Sequence, residues 1–290
     1  MVGFIVEVIN ENNITTLSLG RLEEDEKEIG VRALVEILKK CQLTSLDLEW
    51  GRLDDEDMAV IAEVLPKTAL NTLNLSTNNL RDEGGIALAK TLPDTNIVHL
   101  DLGHNRIGHK GVEVLVNALP ESKVAYLNLG FNMVDDVGLK KLTNILHKTK
   151  LTDLNLEWTR IEDEGISGLI QALPESSLTT LNLEVTEIED SHIKELALIL
   201  HKTKLTDLDL GRNQITDNGL ETLLDALSGS SIEKLNLMSN QITDKGVKTL
   251  IKAIEKSHLK ALDLWGNRIS DEVKEKLSKV CEKNSVELDI

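Results

Sequence analysis

The sequence predicts an α/β solenoid: a curved, right-handed horseshoe of ten β-α repeats, with a parallel sheet on the concave face and helices on the convex face. Three observations carry that expectation. An apolar pattern, L-x-x-L-x-L-x-x-N-x-I/L, recurs with a period of 27 residues. Within each copy the hydrophobic period switches at a fixed point from two to three-and-four spacing, from strand-like to helix-like. Aromatics are only 2% of the 290 residues while leucine is abundant, so the interior is built from aliphatic side chains of similar size, as stacked copies of one unit require.

Taken in chain order, residues 1–13 come first. FIVEVIN (Phe4 to Asn10) alternates and is expected to form a capping strand. Ten repeats are expected over residues 14–285. The first starts at Ile14 and is 29 residues long, its insertion lying in the acidic stretch GRLEEDEKE. The others start at Leu43, Leu70, Ile97, Val124, Leu151, Leu178, Leu205, Ile232 and Leu259. Each opens with an alternating segment such as LTDLDL (Leu205 to Leu210), a short strand. Each continues with a segment such as TDNGLETLLDAL (Thr216 to Leu227), where a Thr/Asp capping signal precedes an amphipathic helix. Pro66, Pro93, Pro120 and Pro174 share one repeat position after the last helical leucine and stop the helix. Residues 286–290, VELDI, read as a closing strand whose Glu287 and Asp289 oppose edge pairing. One strand and one helix cannot bury their apolar faces alone, so the copies must stack into a single elongated domain spanning 1–290. Strands ~4.8 Å apart backed by helices that need ~10 Å fan the helical side outward, which gives the curvature.

The strand pattern, the helix in every copy and the 27-residue length resemble the ribonuclease-inhibitor-like class of leucine-rich repeat proteins, over Ile14 to Ser285. NOD-like receptor repeat domains and Ran GTPase-activating proteins belong to the same class. The resemblance implies the solenoid fold and a binding role, and it leaves the partner open because the class hosts many activities.

The formal charge of −17 sets up repulsion from phosphate backbones and anionic lipid, so neither nucleic acid nor membrane is an expected partner, and basic partners are favoured. The start, MVGFIVEVINENN, lacks a basic region and carries a glutamate in its apolar run, unlike a secretion signal. The expected location is the cytoplasm, or host cytosol if the protein is a secreted bacterial effector, and the expected state is a monomer. Cys281 occupies a position held elsewhere by Leu38, Leu65, Leu119 and Ile254, a core position. Cys41 stands where other copies have Thr68, Thr95 or Ser122 and is expected to be partly exposed. Neither a disulfide nor a metal framework is expected from this pair.

Repeat positions 1, 4, 6 and 11 point into the solenoid, so positions 3, 5 and 7 project from the concave wall, with position 8 beside them in the loop. These rows carry the acids Asp47, Glu49, Asp101, Asp153, Glu157, Glu184, Asp207, Asp209 and Asp263, against Arg21, Arg212 and Lys234. Row 5 is a polar stripe of Asp, Asn and one Ser. Five of the six aromatics, Trp50, Tyr126, Phe131, Trp158 and Trp265, fall in rows 3, 7 or 8. An acidic wall with aromatic anchors is the pattern of an interaction site for a basic protein or peptide.

Row 9 is usually asparagine (Asn78, Asn105, Asn132, Asn213, Asn240, Asn267), whose amide is expected to satisfy turn backbone and stack into a ladder. Three copies lose it and read Glu49-Trp50-Gly51, Glu157-Trp158-Thr159 and Glu184-Val185-Thr186. Two readings stay open at this point. The tryptophans brace an alternative turn, or they are exposed anchors.

No phosphate-cradling loop, dinucleotide fingerprint, H-E-x-x-H or nucleophile elbow is present. His99, Asp101 and His104 are the nearest thing to a metal group, and no metal or cofactor is expected. Gly84, Gly111, Gly138, Gly165, Gly219 and Gly246 recur in the first helical turn and are read as close packing between neighbouring helices. The expected function is a non-enzymatic interaction scaffold or inhibitor. Its candidate contacts are Trp50, Tyr126, Phe131, Asp153, Glu157, Trp158, Glu184, Asp207, Asp209, Arg212 and Trp265. The rival is a GTPase-activating protein like the Ran-directed group, although the acidic tail of that group is missing.

Overall fold

The computed structural model describes residues 2–20 and 27–290. Arg21 and most of the acidic insertion lie outside the described residues. Two compact units divide at Leu151/Thr152.

Unit 1 runs α1 (Val2–Glu11), β1 (Thr16–Ser18), α2 (Lys27–Lys40), β2 (Ser45–Asp47), α3 (Asp55–Ala62), β3 (Thr72–Asn74), α4 (Asp82–Thr91), β4 (His99–Asp101), α5 (His109–Ala118), β5 (Tyr126–Asn128) and α6 (Asp136–Ile145). Its strands pair in parallel and in chain order, with Leu17, Leu46, Leu73, Leu100 and Leu127 in register. Unit 2 runs β6 (Asp153–Asn155), α7 (Asp163–Ala172), β7 (Thr180–Asn182), α8 (Asp190–Ile199), β8 (Asp207–Asp209), α9 (Asp217–Leu227), β9 (Lys234–Asn236), α10 (Asp244–Ile254), β10 (Ala261–Asp263), α11 (Asp271–Lys283) and β11 (Glu287–Asp289). Its strands are likewise parallel and in order, aligning Leu154, Leu181, Leu208, Leu235, Leu262 and Leu288. This is the α/β repeat architecture the sequence predicts, and β11 supplies the closing strand.

The core is the set of residues the repeat pattern points inward. Leu46, Leu73, Leu100, Leu208 and Leu235 on the strands, and Leu115, Leu169, Leu223 and Leu250 on the helices, are all buried. Fully burying each such side chain contributes roughly 1.5–3 kcal/mol before ordering costs. After the helices, Pro66, Pro93, Pro120 and Pro174 sit in the first turn of a 3-10 segment that ends the helix. The same turn forms at Leu146–Lys148 and Leu200–Lys202, where histidine replaces proline.

Two expectations are corrected. Val2–Glu11 form a helix, α1, in place of the capping strand expected over Phe4 to Asn10. Val2, Ile5, Val6 and Ile9 also fit helical spacing, and a nearly continuous apolar run carries both periods. The asparagines that follow decide it. Asn12 donates its backbone N–H and its side-chain amide to Val8 O, and Asn13 takes φ 52°, a left-handed ending that asparagine tolerates. Cys41, expected to be partly exposed, is only 3% exposed. Its repeat position turns under the helix end: Thr68, Thr95 and Ser122 are buried there and donate their hydroxyls to the carbonyls of Leu65, Leu92 and Leu119. Both cysteines are free and buried, and burial pushes the Cys281 thiol up to about 11. Among the described residues no helix is long and apolar enough to cross a membrane.

Candidate functional site

Each strand leads into a turn held by two sets of side chains. Row 5 accepts from the row-7 N–H of its own copy: Asp47 from Glu49, Asp101 from Gly103, Asn155 from Glu157, Asp209 from Gly211 and Asp263 from Trp265, all at 2.8–3.0 Å. The polar stripe is therefore turn chemistry first. Row 9 is the amide ladder. Asn78 donates to Leu75 O and Ser76 O of its own copy and to Leu48 O of the preceding one, and accepts from Leu53 N. Asn105, Asn132, Asn213 and Asn240 repeat this arrangement with small variations.

Between these rows, position 8 is left-handed in every copy from Trp50 to Gly266, with φ between 50° and 76°. Its N–H donates to the row-7 carbonyl of the following copy, as in Trp50 to Ser76, Trp158 to Glu184 and Arg212 to Met238. Only Gly266 has the residue type this conformation favours. Tryptophan, phenylalanine and the β-branched Val185 are held in this conformation by the turn.

The lost amide has a replacement in the turn. Where asparagine is lost, Thr159 and Thr186 donate their hydroxyls to Leu156 O and Leu183 O at 2.6 and 2.7 Å. In the Gly51 copy, Gly51 N–H donates to Leu48 O. Threonine and glycine take over the turn, while Trp50, Trp158 and Trp265 are 63%, 54% and 53% exposed. A second turn conformation does occur in two of the three copies, where Arg52 and Glu187 also become left-handed.

Of the eleven candidate contacts, Trp50, Tyr126 and Phe131 lie in unit 1. Tyr126 stacks on His99 (ring centroids 3.7 Å apart, planes 6° apart) and Phe131 stacks on His104 (3.8 Å, 12°). The histidines of the weak metal candidate are thus engaged with rings, and among the described residues no group of three or more metal-type ligands forms.

The other eight lie in unit 2. Asp153 accepts from the Thr152 hydroxyl, and Asp207 from the Thr206 hydroxyl and the Lys234 ammonium at 2.6 Å. Asp209 is committed on both oxygens, to Gly211 N–H and the Asn236 amide. Glu184 accepts from Arg212 Nε at 2.9 Å. No hydrogen bond or ion pair reaches the half-buried Glu157 carboxylate from the described residues, and its neighbour Trp158 is exposed. Burial, then Asp209, pushes the Glu157 carboxyl up against the opposing pull of Arg212. Burial, then Glu157 and Asp209, does the same to Glu184. Burial also raises Asp209, against the stabilising Gly211 and Asn236 bonds. A trough of about 470 Å³ continues from Asp207 and Asp209 to Asp263, Glu287 and Asp289.

A family model described as a leucine-rich repeat matches residues 39–62, 67–89, 94–116, 147–169, 201–224, 230–250 and 255–272. The chain belongs to the leucine-rich repeat family. Members of this family serve as protein-interaction scaffolds. Among solved structures, an internalin (InlF) from Listeria monocytogenes is similar in fold, with a TM-score of 0.54 and 21% identity over 88% of this chain and 62% of that one. No curated protein sequence matches the chain.

Sequence reasoning passed over Glu287 and Asp289 as contacts because they read as edge protection. The register settles their place: Glu287 pairs with Ala261 and Asp289 with Asp263, which makes them rows 3 and 5 of an eleventh strand. It also missed a second ladder on the helix side. Asp55 accepts from Arg81 N and Gly84 N of the next copy, Asp82 from Gly108 N and Gly111 N, and Asp217 from Thr243 N. A Cβ at Gly84 would lie 2.6 Å from Asp55 Oδ1, so the recurring glycines make room for the neighbour's capping carboxylate.

Proposed function

We propose that the chain is a non-enzymatic leucine-rich repeat scaffold that binds a basic protein or peptide, with the helix-free face of unit 2 as the principal seat. The observation that carries this reading is the glutamate pair: Glu157 and Glu184 occupy row 7 of adjacent copies, burial raises both carboxyls, with Asp209 adding to Glu157 and Glu157 and Asp209 adding to Glu184, and one guanidinium opposes both shifts. Proteins do not gain stability from crowding carboxylates, and a cationic partner relieves the crowding. Trp158 and Trp265 border the acids as exposed apolar surface of the type enriched in binding hot spots. Asp207, Asp209 and Asp153 extend the negative field while being held by their own turn partners.

The test is the affinity of a dye-labelled peptide of alternating arginine and glycine, measured by anisotropy as salt rises from about 50 to about 500 mM. Affinity should fall roughly tenfold or more over that range. Binding that is flat with salt, or absent at low salt, rejects the reading.

A further inference from the structure

We propose that Arg212 is an internal stand-in for the partner's cation: in the free protein its guanidinium occupies the seat at Glu184 and Glu157 that an arginine of the bound partner takes, and so sets affinity by competition. This rests on the reading of unit 2 as a site for basic partners.

The geometry points to a displaceable arm on a fixed base. Arg212 is a row-8 residue at φ 52°, and its N–H donates to Met238 O at 2.7 Å, which anchors the backbone in the turn. The side chain leaves that base and reaches back one copy to Glu184, 2.9 Å from Nε. Arg212 is 52% exposed while Glu184 is only 17% exposed, so the acid is seated in the face and the cation lies over it. With the guanidinium half open to water the pair is screened on the cation's side, and exchanging one guanidinium for another loses little.

One cation also serves more than one acid. Arg212 opposes the upward shift of both Glu157 and Glu184, while Asp209 and Asp263 add to the negative charge Glu184 feels. Glu157 receives no direct bond from it. The pair therefore lacks one positive charge with Arg212 in place and two with Arg212 removed. Arginine is the expected occupant over lysine because the group already seated there is a guanidinium. Its planar face can also lie on the exposed indole of Trp158, next in sequence to Glu157. Lys234 is a different case: it pairs with Asp207, which already holds the Thr206 hydroxyl.

The experiment compares wild type, Arg212→Gln and Lys260→Gln against the labelled arginine–glycine peptide and its lysine–glycine counterpart. Lys260 is an exposed lysine paired with Glu233, immediately before β10, so its variant makes the same charge change away from the seat. Arg212→Gln should tighten the arginine peptide roughly fivefold and the lysine peptide less, while Lys260→Gln stays within about twofold. Equal or weaker binding by Arg212→Gln overturns the proposal, because a residue that contacts the partner directly, or none at all, predicts that result. A ligand-free readout supports it: carboxyl titration by NMR should show Glu184 moving further up in Arg212→Gln, and an unmoved Glu184 counts against it. Wild type that binds with the expected salt dependence while Arg212→Gln is unchanged sinks only this inference. Failure of the wild type to bind at low salt sinks the site, and this inference with it.

Discussion

The two units build the same face from the same repeat and occupy it in opposite ways. On unit 1, ring meets ring: His99 on Tyr126 and His104 on Phe131, with glycine at row 7 in both copies. On unit 2, row 7 carries Glu157 and Glu184, whose carboxyls are pushed up by burial and by neighbouring acids. The contrast extends to the turns. Wherever row 7 is glutamate, at 49, 157 and 184, row 9 has given up asparagine for glycine or threonine; the copies with Gly103, Gly130 and Gly211 at row 7 keep the amide. Unit 2 has two such copies side by side. The face that carries the adjacent glutamates is thus also the one where a threonine hydroxyl replaces the amide in two neighbouring turns.

The sharpest way to break that comparison is to remove the two kinds of brace. Asn213 donates to Leu183 O and Gly211 O and accepts from Thr186 N and Ile188 N, all buried. Asn213→Ala orphans several of these groups and should cost about 3 kcal/mol in denaturant unfolding. Thr186→Val removes one hydroxyl bond to Leu183 O and should cost about 1 kcal/mol. Equal losses would mean that threonine braces the turn as well as asparagine does, and the asymmetry between the units would go.

A second, smaller effect separates the faces by pH. Glu157 and Glu184 have folded carboxyls above the ordinary 4.5, so the native state binds more protons than the unfolded chain between 4.5 and those raised values. Stability contributed by that protonation is present at the acid end of the window and is lost as pH rises through the folded values. The melting temperature of wild type should therefore climb on mild acidification from neutrality toward 4.5. In a Glu157→Gln/Glu184→Gln variant the climb should flatten. An unchanged profile in the double variant would show that the glutamate pair is not under strain.

Much of this was legible in the sequence because a repeat states its own register. A leucine at the same place every 27 residues fixes strand order, inward positions and the helix-free rows at once. What stayed hidden was whatever depends on contacts between copies at the same repeat position. Row 5 read as a polar stripe on the wall, but each Asp or Asn spends one oxygen on its own turn. Asp217, read as part of a local Thr/Asp capping signal, instead serves the next copy by accepting from Thr243 N, as Asp55 and Asp82 do in theirs. The α1 segment was ambiguous because contiguous apolar residues satisfy both periods, and the deciding signal, the asparagine pair that ends the helix, lay outside the alternating window. Trp158 was undecidable for a similar reason: the residue that replaces the lost amide is its neighbour Thr159, one position along.

That last point yields the smallest expected change in stability. If Thr159 holds the turn through Leu156 O, then Trp158→Ala removes mostly exposed surface from a residue whose backbone is fixed by its own bond to Glu184 O. The unfolding free energy should shift by no more than about 0.5 kcal/mol. Affinity for the arginine–glycine peptide should still drop, since the indole beside Glu157 is lost as a stacking surface. A large fall in melting temperature with affinity preserved would return the tryptophan to the role of brace.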